Sequence, residues 1–176
     1  MISAIGQMET TNAASSSKAD VLHDELRATQ AAFHTILDSI SSELWRKKSP
    51  SCDWTYSEVV VHLTWALEYL PKEVESARLG RGMFNMPGWL GDPLSYWMIR
   101  LLARSATPQT IRGKYDRAMD AAIRLLDHIP EADWPRGANF YGEGFHSVER
   151  LFRTPAVHLA EHTRGWPVSA AAELRR

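Results

Sequence analysis

Thr55-Tyr56-Ser57-Glu58-Val59-Val60-Val61-His62-Leu63-Thr64-Trp65-Ala66-Leu67-Glu68-Tyr69-Leu70 is a helix that carries its own start signal. The Thr55 hydroxyl can accept from the Glu58 amide while the Glu58 carboxylate reaches back, the reciprocal pattern of a capping box. Val59, Leu63, Ala66, Leu67 and Leu70 then recur every three or four residues, which is one face of a helix turned toward a core. Pro71 is predicted to kink or end it, because the ring removes a hydrogen bond and crowds the carbonyl of Leu67.

Upstream, Leu22, Leu26, Phe33, Ile36, Leu37, Ile40 and Leu44 step with the same period, predicting a first helix from Val21 to Leu44. Ser49-Pro50-Ser51-Cys52-Asp53 is the turn between the two. Downstream, Gly80-Arg81-Gly82 and Pro87-Gly88 punctuate a long connection. Inside it Leu90, Leu94, Trp97, Met98, Leu101 and Leu102 show helical spacing, so an added lid or crossover helix is expected over Trp89 to Arg104. Thr107-Pro108 is a cap with proline in the first turn, opening a helix marked by Ile111, Tyr115, Met119, Ala122, Leu126 and Ile129 and stopped by Pro130. Asn139-Phe140-Tyr141-Gly142-Glu143-Gly144 reads as a loop. A last helix, capped by Ser147 or by Thr154 before Pro155, ends near Gly165. No segment of useful length alternates with a period of two, and no internal repeat is present. The expectation is an all-α protein, a four-helix bundle with an extra helical segment between its second and third helices.

The chain has 176 residues, 44% of them hydrophobic, which suits one domain with one shared core. Residues 1–18 are small and polar, with no basic start followed by an apolar run. They are expected to form a disordered tail rather than a signal peptide, leaving residues 19–176 as the helical domain. Twenty basic and twenty-one acidic side chains leave a net charge of -1, which provides no field to gather nucleic acid or an anionic membrane. Charges break every apolar segment short of the roughly 18 residues a membrane span requires. The single cysteine, Cys52, forms no internal disulfide and suits a reducing cytoplasm. With no basic neighbour in sequence, it reads as an inert thiol.

His158-Leu159-Ala160-Glu161-His162 sets two imidazoles four residues apart, hence on one helix face with Cβ atoms about 5–6 Å apart, close enough for both to reach one ion. Taken alone, such a pair is as well explained by ordinary hydrogen bonding. His62, among Val59, Val60, Val61 and Leu63, is by itself an ordinary core histidine.

Together, Trp54-Thr55 with Glu58, then His62-Leu63, and far downstream His158-Leu159-Ala160-Glu161-His162 resemble the DinB-like superfamily, which includes the N-terminal domain of mycothiol-dependent maleylpyruvate isomerases and the bacillithiol transferases. The likeness runs from about Ala19 to Trp166 and places the chain among bacterial proteins. It implies a divalent metal ion, zinc, nickel or iron, held inside the bundle by His62, His158 and His162. It also implies a long connection that lets two neighbouring helices run parallel. The Trp89–Arg104 segment and Pro155 depart from the family pattern.

Three imidazoles with exchangeable water are the open arrangement of a catalytic site. The resemblance implies a thiol-dependent S-transferase or isomerase acting on a small molecule, with a low-molecular-weight thiol as cosubstrate. Two other functions use the same ligands: a metal-dependent hydrolase, and a non-catalytic stress-response or binding module in which the metal pins two helices together. The H-x-x-E-H spelling also matches inverted zinc proteases, but the acidic ligand they need far downstream has only fourteen residues to lie in. Trp65 and Tyr69, three and seven residues after His62, are candidates to line the pocket, and Arg153 to grip an anionic substrate or thiol. Core packing and solvation explain these three equally well. Glu161 is expected to face solvent or to steady a ligating histidine. His23, His34, His128 and His146 find no partner at ligand spacing and read as surface residues. The partners expected are a small molecule and, in a homodimer, a second copy of the chain.

Overall fold

A computed structural model describes residues 17–82, 88–140 and 144–168, with the side chains of 88–95 left aside. The expected tail up to residue 16 and the centre of the glycine-rich loop lie outside the described residues. The elements are α1 (Lys18–Ser39), α2 (Tyr56–Arg78), α3 (Gly88–Ala103), α4 (Pro108–Leu126), a 3-10 turn (Glu131–Asp133), β1 (Gly137–Asn139), β2 (Phe145–Ser147) and α5 (Val148–His162).

Local chemistry sets the helix ends. Of the residues assigned above to the tail, Lys18 opens α1 and Ser17 caps it. The Ser17 hydroxyl accepts from the Asp20 amide at 3.1 Å, and the Asp20 carboxylate accepts from the Ser17 amide at 2.9 Å. The helix stops at Ile40, short of the expected Leu44, where the backbone turns extended and Ser41 starts a separate turn by accepting from Leu44 and Trp45. The Thr55–Glu58 box of α2 forms as read, with Thr55 N to Glu58 Oε2 at 2.8 Å. Pro71 does not end α2, which continues to Arg78 with Val74 and Ala77 fully buried. Ser147, not Thr154, caps α5, and Pro155 is carried inside the helix.

Ion pairs fix the helix directions. Along α1 the contacts Arg27–Asp120, His34–Asp116 and Asp38–Arg112 run down α4 in reverse, so these two helices are antiparallel. Lys18–Glu149 and Glu25–Arg153 climb α1 and α5 together, so those neighbours are parallel. The four long helices close a ring in which α1 and α2 each pack on both α4 and α5, while α3 lies against α2. One core fills the ring, with Phe33 stacked on Tyr115 at its centre.

The expected crossover helix is present as α3, with Ile99 and Ala103 facing the core while Trp97, Leu101 and Leu102 are 63%, 62% and 41% exposed. Asn139, read above as part of a loop, instead ends β1, which pairs antiparallel with β2 ahead of α5. A Cβ at Gly137 would collide with the His146 carbonyl across that pair, so the two strands approach as only glycine permits. Among the described residues no helix is long and apolar enough to cross a membrane.

Candidate metal centre

His62 stands one turn past the Glu58 end of α2, and His158 and His162 occupy successive turns near the end of α5. Because these two helices pack together, the three rings converge. Their centroids lie 4.8 Å (His62–His158), 4.9 Å (His62–His162) and 4.7 Å (His158–His162) apart. One ring nitrogen from each falls within 4.8 Å of the others, and the Nε2 atoms of His62 and His158 are 3.0 Å apart. Imidazole nitrogens bind a zinc-like ion at about 2.0–2.1 Å, which sets ligands of one ion roughly 3–3.5 Å from each other. Nitrogens 3.0 Å apart in one pair and all within 4.8 Å of one another bracket that separation, so the residues fit such an ion.

The electrostatics favour the neutral rings that a metal requires. Burial, reinforced by the neighbouring imidazoles, pushes His62 down to about 3. Burial and His162 push His158 down to about 4. Burial also lowers His162, partly offset by the carboxylate of Glu161. With both rings neutral, the 3.0 Å contact is one N–H donating to one lone pair. The three atoms gathered here are all imidazole nitrogens, a donor set suited to zinc, nickel, iron or copper.

Trp54, quoted above only as a mark of resemblance, packs directly on the triad: its ring centroid is 4.7 Å from His62 and 6.1 Å from His162. Tyr96 of α3 stacks on Trp54 with ring centroids 6.3 Å apart. The turn carrying Trp54 is bolted to the end of α5: Ser51 Oγ donates to the His162 carbonyl at 2.5 Å, and Trp166 Nε1 donates to Ser49 Oγ at 2.9 Å. Reading the sequence missed Tyr96 and this serine clasp because the partners lie far apart along the chain. The run Trp54-Thr55 immediately before a helix that carries a histidine was the available signal for Trp54.

Trp65 packs on Tyr69 at 4.6 Å and lines a groove of about 190 Å³ between α2 and α4, bounded by Leu102, Ser105 and Ala106. The triad histidines are not among the residues lining that groove. Lys72 sits over the Tyr69 ring. Arg153 is committed to Glu25 and Glu149, tying α5 to α1. Glu161 is exposed, which removes it from the position of a protease base. Cys52 is a partly buried free thiol packed against the core. His34 pairs with Asp116 at 2.7 Å and is half-buried. His128 Nδ1 donates to the Arg124 carbonyl at the end of α4. His146, expected at the surface, is buried in β2 beside Phe140.

A four-helix ring closed around a core, with three histidines gathered from two of its helices, is a helical bundle whose interior is compatible with a metal site. The family model of the DinB superfamily matches residues 25–164, most of the chain, and the protein belongs to that superfamily. No curated protein and no solved structure matches it.

Proposed function

We propose that this protein is a metal-dependent enzyme that acts on a small molecule with a low-molecular-weight thiol as cosubstrate, as an S-transferase or isomerase. The observation that carries the reading is the convergence of His62, His158 and His162, held neutral by burial and drawn from two helices of a DinB superfamily bundle. His62, His158 and His162 would hold a divalent ion such as zinc, nickel or iron, which would supply the Lewis acidity that makes thiolate available at neutral pH.

The chain's own residues supply the rest. The three imidazoles offer lone pairs without competing protons near pH 7. Three histidines leave the set open, where a structural site would be closed by a fourth protein ligand. Trp54 and Tyr96 screen one side of the triad from water, strengthening every electrostatic interaction within. A net charge of -1 supports a small-molecule partner over nucleic acid.

The test is to load the full chain with zinc, nickel or iron and offer mycothiol, bacillithiol or glutathione with the electrophile monochlorobimane. Thiol conjugation well above the metal-free control is expected. Ester or amide hydrolysis without thiol transfer would replace this reading by a hydrolase. A metal-dependent rise in thermal midpoint with no turnover of either kind would leave a non-catalytic module pinned at α2 and α5.

A further inference from the structure

Trp54 stands between α3 and the histidines. One of its faces lies nearly parallel to His162, at 11°, and tilts against His62. The Tyr96 ring lies at 27° to Trp54 from the α3 side. One turn along α3, the Arg100 guanidinium covers the Tyr96 ring at 4.5 Å, and its Nε faces Glu58 Oε1 at 3.4 Å. Glu58 lies on α2 one turn before His62. The crossover helix therefore reaches toward the triad through a stack of rings ending at Trp54, while an ion pair ties it to α2 one turn before His62.

The position of an imidazole nitrogen depends on χ2, a broad torsion with shallow preferences, so a ligating ring needs a neighbour to fix it. That work commonly falls to a hydrogen-bonded carbonyl or carboxylate. Here an indole face bounds two of the three rings. The indole is itself fixed, since the Ser49 amide donates to the Trp54 carbonyl at 2.8 Å and Ser51 holds the same turn to the His162 carbonyl.

We propose that Trp54 is a positioning residue of the metal site, held by Tyr96 and Arg100, so that α3 is part of the site and its docking is coupled to metal binding. This inference rests on the metal reading above. The experiment is a calorimetric zinc titration of the full chain as wild type, Trp54→Ala, Trp54→Phe and Tyr96→Leu, with hydrogen exchange followed at residues 96–103.

Trp54→Ala is expected to weaken zinc binding by about 10- to 100-fold, the usual range for losing a group that orients a ligand. Trp54→Phe, which restores a ring face, should recover most of that loss, and Tyr96→Leu should show a smaller weakening. Zinc should slow exchange at residues 96–103 in the wild type but not in Trp54→Ala, while still protecting α2 and α5 around the histidines in both. Should Trp54→Ala fail to fold, Tyr96→Leu and the wild-type exchange data decide the question. Wild-type affinity in Trp54→Ala, or in Tyr96→Leu if that variant alone folds, or α3 exchange indifferent to zinc, overturns the inference while leaving the metal site standing. A wild-type chain that takes up no zinc overturns the metal reading, and this inference with it.

Discussion

His62 and His158 meet nitrogen to nitrogen at 3.0 Å inside the bundle, and their protonation couples the site to stability. An unfolded histidine titrates near 6.5, while in the fold His62 is held near 3 and His158 near 4. Between those values and 6.5 the unfolded chain binds protons that the folded chain refuses, so stability rises with pH across this window. Acidification of the chelator-treated protein from pH 6.5 toward 4 should therefore lower its urea midpoint. His158→Gln, which cannot titrate, should lose less over the same range. Equal slopes for the two proteins would show that His158 is not held neutral by the fold. The His158–His162 spacing was legible in the sequence because four residues on a helix always share a face. The role of His62 was legible only through the family pattern, since nothing local separates a ligand from a core histidine among valines. The place of Trp54 was not legible, because Ser51 and the His162 carbonyl, which set it, are 111 residues apart.

Helices whose start signals are local were read well, and those whose faces depend on neighbours were not. The Thr55–Glu58 box and the Thr107–Pro108 start stand where the sequence puts them, because each is closed within four residues. On α3 apolar residues surround the helix, and only packing on α2 decides that Ile99 and Ala103 turn inward while Trp97 and Leu101 face out. Strands of three residues are too short to show a period, which hid the strand pair. Pro71 is expected to kink or end α2, yet the helix runs on, because burial of Val74 and Ala77 beyond it offsets the bond that the Leu67 carbonyl loses. Replacing Pro71 by alanine restores that donor. Interior proline costs about 3 kcal/mol against alanine, and its stiffening of the unfolded chain returns about 1 kcal/mol or less. The Pro71→Ala variant should thus gain on the order of 2 kcal/mol in urea unfolding, and a loss of stability would mean that the local backbone is shaped to need the proline.

Across the whole molecule, the ring of helices serves to bring one turn of α2 against the last two turns of α5. The ion pairs Lys18–Glu149 and Glu25–Arg153 hold α5 parallel to α1, and Arg78–Asp133 ties the far end of α2 to the turn before β1. The direct packing of α2 on α5 faces His62 toward His158 and His162. The central claim is that this packing makes one metal site per chain. Its most direct test is elemental analysis with zinc titration of protein purified without a histidine tag, alongside His62→Ala and His158→Ala. One tightly held divalent ion per wild-type chain and none in either variant is the predicted result, since two imidazoles with water hold an ion far more weakly than three. Wild-type metal content in His158→Ala, or no metal uptake by the wild type, would contradict it.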